Sequence, residues 1–174
     1  SDSSFILTKI VMTLFMGKKT DVNPLENARK EGKARGVPYL LIGDEAIMES
    51  MKGKDEKNTH VYDLGELWNR YTGLPFPFAL WMVNRERFEK DRRIIKKFCR
   101  KLLDAKKIAG NIVRYGDRKI AVRKELSWGF LNHYWSNLSY ELDVERAGLE
   151  LFFTLSREIG EIEKAPSLNF IDLP

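Results

Sequence analysis

Cysteine is almost missing from this chain of 174 residues: Cys99 stands alone, which excludes an internal disulfide. Histidine is nearly as scarce. His60 and His133 lie far apart, and with one thiol they give neither the ligand count nor the spacing of a structural zinc motif. Asp44, Asp63 and Glu66 fall in different predicted elements with no cation-binding loop around them, so no metal is expected. No apolar run approaches the roughly 18 residues that a bilayer span requires. The amino end opens on Ser1-Asp2-Ser3-Ser4 rather than on a basic region and hydrophobic leader core. A cytoplasmic protein with no membrane partner is therefore the expectation. Neither a phosphate-loop lysine nor a GxGxxG turn is present, so no nucleotide cofactor is called for.

What the chain does have is apolar and charged side chain in quantity. Hydrophobic residues make up 43% and charged residues 32%, enough apolar surface to offset the entropy of ordering a backbone. Lysine and arginine number 30 against 25 acids, a formal charge of +5 that favours anionic partners at long range. Nucleic acid is not the expected one, because no reading motif accompanies the charge.

The apolar spacing lays out the elements. Phe5, Ile6, Leu7, Ile10, Val11 and Leu14 form one helical face that Gly17 ends, and a short solvated helix opens at Pro24 and is bounded by Gly32 and Gly36. Val37 to Ile42 reads as a buried strand ending at Gly43-Asp44, followed by a helical turn from Glu45 to Met48 and a solvated loop from Met51 to Thr59. His60 to Leu64 reads as a short strand or an extended segment, Gly65 to Tyr71 as a helix with Trp68 inward, and Phe76 to Val83 as extended with its later half a strand. A long helix is predicted from Glu86 to about Lys107 with Phe88, Ile95, Phe98 and Leu102 in a stripe. Gly110 to Asp117 then reads as irregular or partly helical, Leu126 to Tyr134 as a helix and Tyr140 to Leu142 as extended. Val144 to Ile159 is the last helix, with Ala147, Leu151, Phe152 and Leu155 inward. Helices alternating with short strands predict an α/β protein.

One feature carries binding chemistry. Ser1, Ser3 and Ser4 stand at a helix start, where hydroxyls and free backbone donors suit a carboxylate; ordinary capping is the competing role. Asp44 lies where strand meets turn, suited either to bonding a polar substrate group or to holding a loop. Tyr39, Phe76 and Phe78 suit the walls of a pocket for an unsaturated ring, or plain core.

The segments Leu41-Ile42-Gly43-Asp44-Glu45-Ala46-Ile47 and Tyr62-Asp63-Leu64-Gly65-Glu66-Leu67-Trp68 are similar to those of the menaquinone-biosynthesis family containing chorismate dehydratase. So is Thr72-Gly73-Leu74-Pro75-Phe76-Pro77-Phe78-Ala79-Leu80-Trp81, with Gly148-Leu149-Glu150-Leu151-Phe152 in the last helix. The resemblance runs through almost the whole chain, and part of it is shared with cyclic dehypoxanthine futalosine synthases. It implies a periplasmic-binding-protein-like, two-lobed α/β fold present here as a partial chain. Residues 1–80 would be the second lobe, and 81–174 the crossover and carboxyl-terminal helices returning to a first lobe that lies before Ser1. It further implies a cofactor-free hydro-lyase of the futalosine pathway that binds chorismate, a carboxylated small molecule, and yields 3-[(1-carboxyvinyl)oxy]benzoate. The residues to which substrate binding would fall are Ser1, Ser3, Ser4, Asp44, Thr72, Gly73 and Phe76, with the general base assigned to none of them. A non-enzymatic metabolite-binding fragment is the alternative.

Overall fold

A computed structural model describes residues 2–18, 28–51, 60–115, 126–139 and 145–171. Ser1, the Pro24 helix start, most of the loop before Thr59, Asp117 and the Tyr140–Leu142 segment lie outside the described residues. The chain forms two compact units. One comprises Ser1–Phe78 and Asp143–Ser167, the other Ala79–Leu142 and Leu168–Pro174.

In the first unit, α1 (Asp2–Ile10) continues into a π-helical stretch, Val11–Phe15. Its widened turn is fixed by Met16 N–H on the Val11 carbonyl at 3.0 Å, and Gly17, at φ +64°, ends the run as its sequence position predicts. Then come α2 (Ala28–Arg35), α3 (Gly43–Met51), α4 (Leu64–Thr72) and, after the excursion through the second unit, α7 (Glu145–Glu158). The core is made where α1, the π turn, α4 and α7 meet: Leu7, Ile10, Val11, Leu67, Trp68 and Phe152 are buried together. Each such side chain contributes roughly 1.5–3 kcal/mol by leaving water. A Lys9–Glu161 ion pair of 2.6 Å ties α1 to the residues after α7.

α4 has both ends specified by sequence. Asp63 accepts the Glu66 backbone N–H at 2.8 Å, and Gly73 takes the left-handed conformation at φ +70° with its N–H on the Asn69 carbonyl at 2.7 Å. Replacing Asp63 by Ala orphans that donor, and about 1 kcal/mol of stability is expected to be lost. Chemical denaturation would show it as a lower midpoint at unchanged slope; an unshifted midpoint would refute the cap.

The second unit contains α5 (Arg85–Tyr115) and α6 (Trp128–Ser136). α5 is 31 residues long and kinked at Asp91, whose φ of −117° and ψ of 27° leave the helical region. It runs through Gly110 as far as Tyr115, in keeping with the partly helical of the two readings of that segment. α6 is capped by Ser127, whose hydroxyl accepts the Phe130 N–H at 3.2 Å.

The α/β expectation, and with it the periplasmic-binding-protein-like two-lobed fold, is overturned: the described residues are helical and contain no strand or sheet. All three predicted strands are irregular or extended without a ladder. The supposedly buried Val37–Ile42 leaves Ile42 46% exposed, and Val61, Tyr62 and Phe78 are exposed as well. β-branched and aromatic residues fit a pleated surface only when a neighbouring strand supplies the ladder, and Pro38, Pro75 and Pro77 each remove a donor from it. The inward face of α7 also differs. Ala147 is exposed while Gly148, Leu149, Phe152 and Ser156 are buried, with Leu151 and Leu155 packed against the core as expected.

Candidate functional site

The turn out of α4 gathers three of the residues singled out by sequence. Thr72 Oγ1 donates to the Trp68 carbonyl at 2.8 Å and accepts the Leu74 N–H at 3.1 Å, so its hydroxyl both ends the helix and starts the turn. Gly73 permits the reversal, and Leu74-Pro75 then delivers Phe76 onto the indole of Trp68, edge to face at 5.4 Å. Phe76 also meets Phe152 at 5.2 Å and Phe78 at 5.0 Å. Opposite, Phe15 stacks on Tyr71 at 4.9 Å and 22° and lies 6.2 Å from Trp68.

This is an aromatic enclosure built around one indole. Trp68 is fully buried, and its Nε1–H has no hydrogen-bond partner among the described residues. A buried donor left unpaired costs about 1–3 kcal/mol, a cost that the surrounding ring contacts offset.

α7 reaches this enclosure only because residue 148 has no side chain. A Cβ there would overlap the Pro75 carbonyl oxygen. Sequence reading placed Trp68 and Phe152 inward but missed Gly148 and Phe15. The signal for Gly148 was available, since a glycine inside an otherwise strong apolar helix marks a close backbone approach.

The other candidates lie elsewhere. Ser3 and Ser4 are half-buried in the first turn of α1, the Ser4 carbonyl accepting the Thr8 hydroxyl at 2.8 Å, and Ser3 already makes an interaction of its own. From Ser4 to Phe15, the residue of this run that reaches Tyr71, the helix climbs roughly 16 Å at 1.5 Å per residue. Asp2 shares the first turn, so a ligand carboxylate at Ser3 and Ser4 would compete with it for the same positive helix end. Asp44 is exposed in the first turn of α3, a helix joined to α2 by the Lys33–Glu49 ion pair at 3.4 Å, and it too is engaged. Ser1 lies outside the described residues.

Among the described residues no three His, Cys, Asp or Glu side chains converge as metal ligands would, and no helix is long and apolar enough to cross a membrane.

The class is thus a helical protein whose first unit closes around Trp68 and presents the Thr72–Phe76 turn. A family model described as menaquinone biosynthesis matches residues 1–158. The chain belongs to that family, and its role lies in menaquinone biosynthesis. No solved structure matches it.

Proposed function

We propose that the protein serves the dehydration of chorismate, the entry reaction of the futalosine route. The observation that carries this reading is the family match over residues 1–158, joined to the segments Ile42-Gly43-Asp44 and Phe76 to Trp81 that favour the dehydratase branch. The chemistry asks little of a cofactor. A base removes the ring proton on the carbon bearing the enolpyruvyl ether, the neighbouring hydroxyl departs as water, and the ring becomes aromatic. Aromatisation supplies the driving force, leaving the protein to orient the substrate and move one proton.

In this reading Ser3 and Ser4, with the helix donors beside them, hold a substrate carboxylate, and Ser1 assists. Asp44 and the Thr72–Phe76 turn lie on other elements and are not assigned to the same substrate molecule. The general base is assigned to none of these residues. Localisation in the cytoplasm, where chorismate is made, completes the proposal.

The test is chorismate consumption with mass detection of a product lighter by one water, run with the complete encoded protein beside the 174-residue chain. Turnover is expected of the former. A Ser3→Ala/Ser4→Ala double variant is expected to raise KM about tenfold or more, since hydrogen bonds to a charged group are worth roughly 1.5–3 kcal/mol each. Intact chorismate in the presence of folded protein overturns the reading. Binding without turnover would make the protein a metabolite-binding scaffold, and cyclisation of dehypoxanthine futalosine would move it to the related synthase.

A further inference from the structure

The second unit carries an exposed apolar face that its own core does not use. Trp81 and Met82, at the tip of the uncharged extended segment leading into α5, are 82% and 88% exposed. The Trp81 ring meets Phe98 of α5 edge to face at 6.1 Å. Ile94, one turn before Phe98 and 67% exposed, continues the same stripe; Phe98 itself is 51% exposed.

Cations border it. Between Arg85 and Lys107 the sequence places eleven lysines and arginines against four acids, a difference of +7. Lys90, Arg93 and Lys97 line a shallow hollow with Ile94 and the Arg87-paired Asp91, and Lys101 follows Lys97 by one turn. These four cations have no acidic partner among the described residues. The acids Asp91, Glu89 and Asp104 are taken by Arg87 at 2.7 Å, Arg92 at 2.7 Å and Lys107 at 4.0 Å.

We propose that the Trp81–Ile94–Phe98 face docks on an anionic bilayer surface, its lysines reaching phosphate while the apolar side chains enter the headgroup boundary. The charge decides among occupants. A second copy would bring an equally cationic helix against this one, and like charges in a partly desolvated contact repel. An acidic peptide answers the lysines but gives no apolar layer for an indole and a thioether that protrude rather than line a groove. An anionic membrane supplies both, because tryptophan partitions to the headgroup level and lysine stems lie along apolar surface with their ammonium groups outward. Docking of this kind needs no spanning helix. It departs from the sequence expectation of no membrane partner, which rested on spans and leaders alone.

The 174-residue chain is to be sedimented with vesicles of phosphatidylglycerol and phosphatidylcholine, and separately with pure phosphatidylcholine. Binding is expected to the anionic vesicles, weakening at least about tenfold on the zwitterionic ones and again at high salt. Lys97→Glu/Lys101→Glu should reduce it by about tenfold or more, and Trp81→Ala several-fold at any ionic strength, with circular dichroism confirming retained helix. Absent binding, or equal binding to both vesicle types, overturns the proposal. So does tighter binding to polyglutamate than to vesicles, which would leave a purely acidic partner, or concentration-dependent self-association that Trp81→Ala abolishes, which would put a second copy on this face.

Discussion

Replacing Gly148 by Ala is expected to lower stability by about 3 kcal/mol, dropping the thermal midpoint by roughly 6–12 °C. The sign is what makes the experiment informative. On helix propensity alone the same change stabilises an interior position by roughly 0.5–1 kcal/mol. Here the new methyl meets the Pro75 carbonyl oxygen, a backbone atom in a segment pinned by Phe76 against Trp68, so α7 must move away from the core or the turn must distort. A neutral or raised midpoint would mean that α7 does not lie against Pro75.

Phe152→Ala is expected to cost about 3–5 kcal/mol, the usual price of deleting a buried ring. The ring lies 5.2 Å from Phe76 and 6.5 Å from Trp68, so its removal leaves a hole bounded by two rigid aromatics that cannot readily collapse into it. Chemical denaturation would read the loss, and the near-ultraviolet signal of the aromatic cluster should weaken in the folded state. Ala147→Ser, on the exposed side of the same helix, is the control and should stay within about 0.5 kcal/mol. Equal effects at 147 and 152 would refute the assignment of the buried face.

The legible parts of the sequence were those governed by local chemistry. The helix around Trp68 was readable up to its break at Gly73, because a glycine permits the left-handed backbone that ends a helix at its own position. Phe98 and Leu102 were correctly put on a long helix by their spacing. The strands at Val37–Ile42 and in the later half of Phe76–Val83, and the strand alternative at His60–Leu64, were misread for a physical reason. Extended apolar residues announce that they suit a sheet, but hydrogen-bond partners for a strand come from elsewhere in the chain, and no local pattern reports whether they arrive. The candidate site divided along the same line. Thr72, Gly73 and Phe76 are contiguous and their joint placement follows from one turn, whereas Ser3, Ser4 and Asp44 lie on other helices.

By itself the sequence determined the break of α4 at Thr72-Gly73, the stop at Gly17, the inward Trp68, the basic surplus of α5 and membership of the menaquinone-biosynthesis family. Only the tertiary structure decided that Phe15, Phe76 and Phe152 close on one indole, that Gly148 admits the Pro75 carbonyl, and that Trp81 leans on Phe98 in the open. Caps and periodicities act over one or two turns and are written in adjacent letters. Ring contacts between residues up to 84 positions apart, from Trp68 to Phe152, depend on how several helices pack, which no short window of sequence contains.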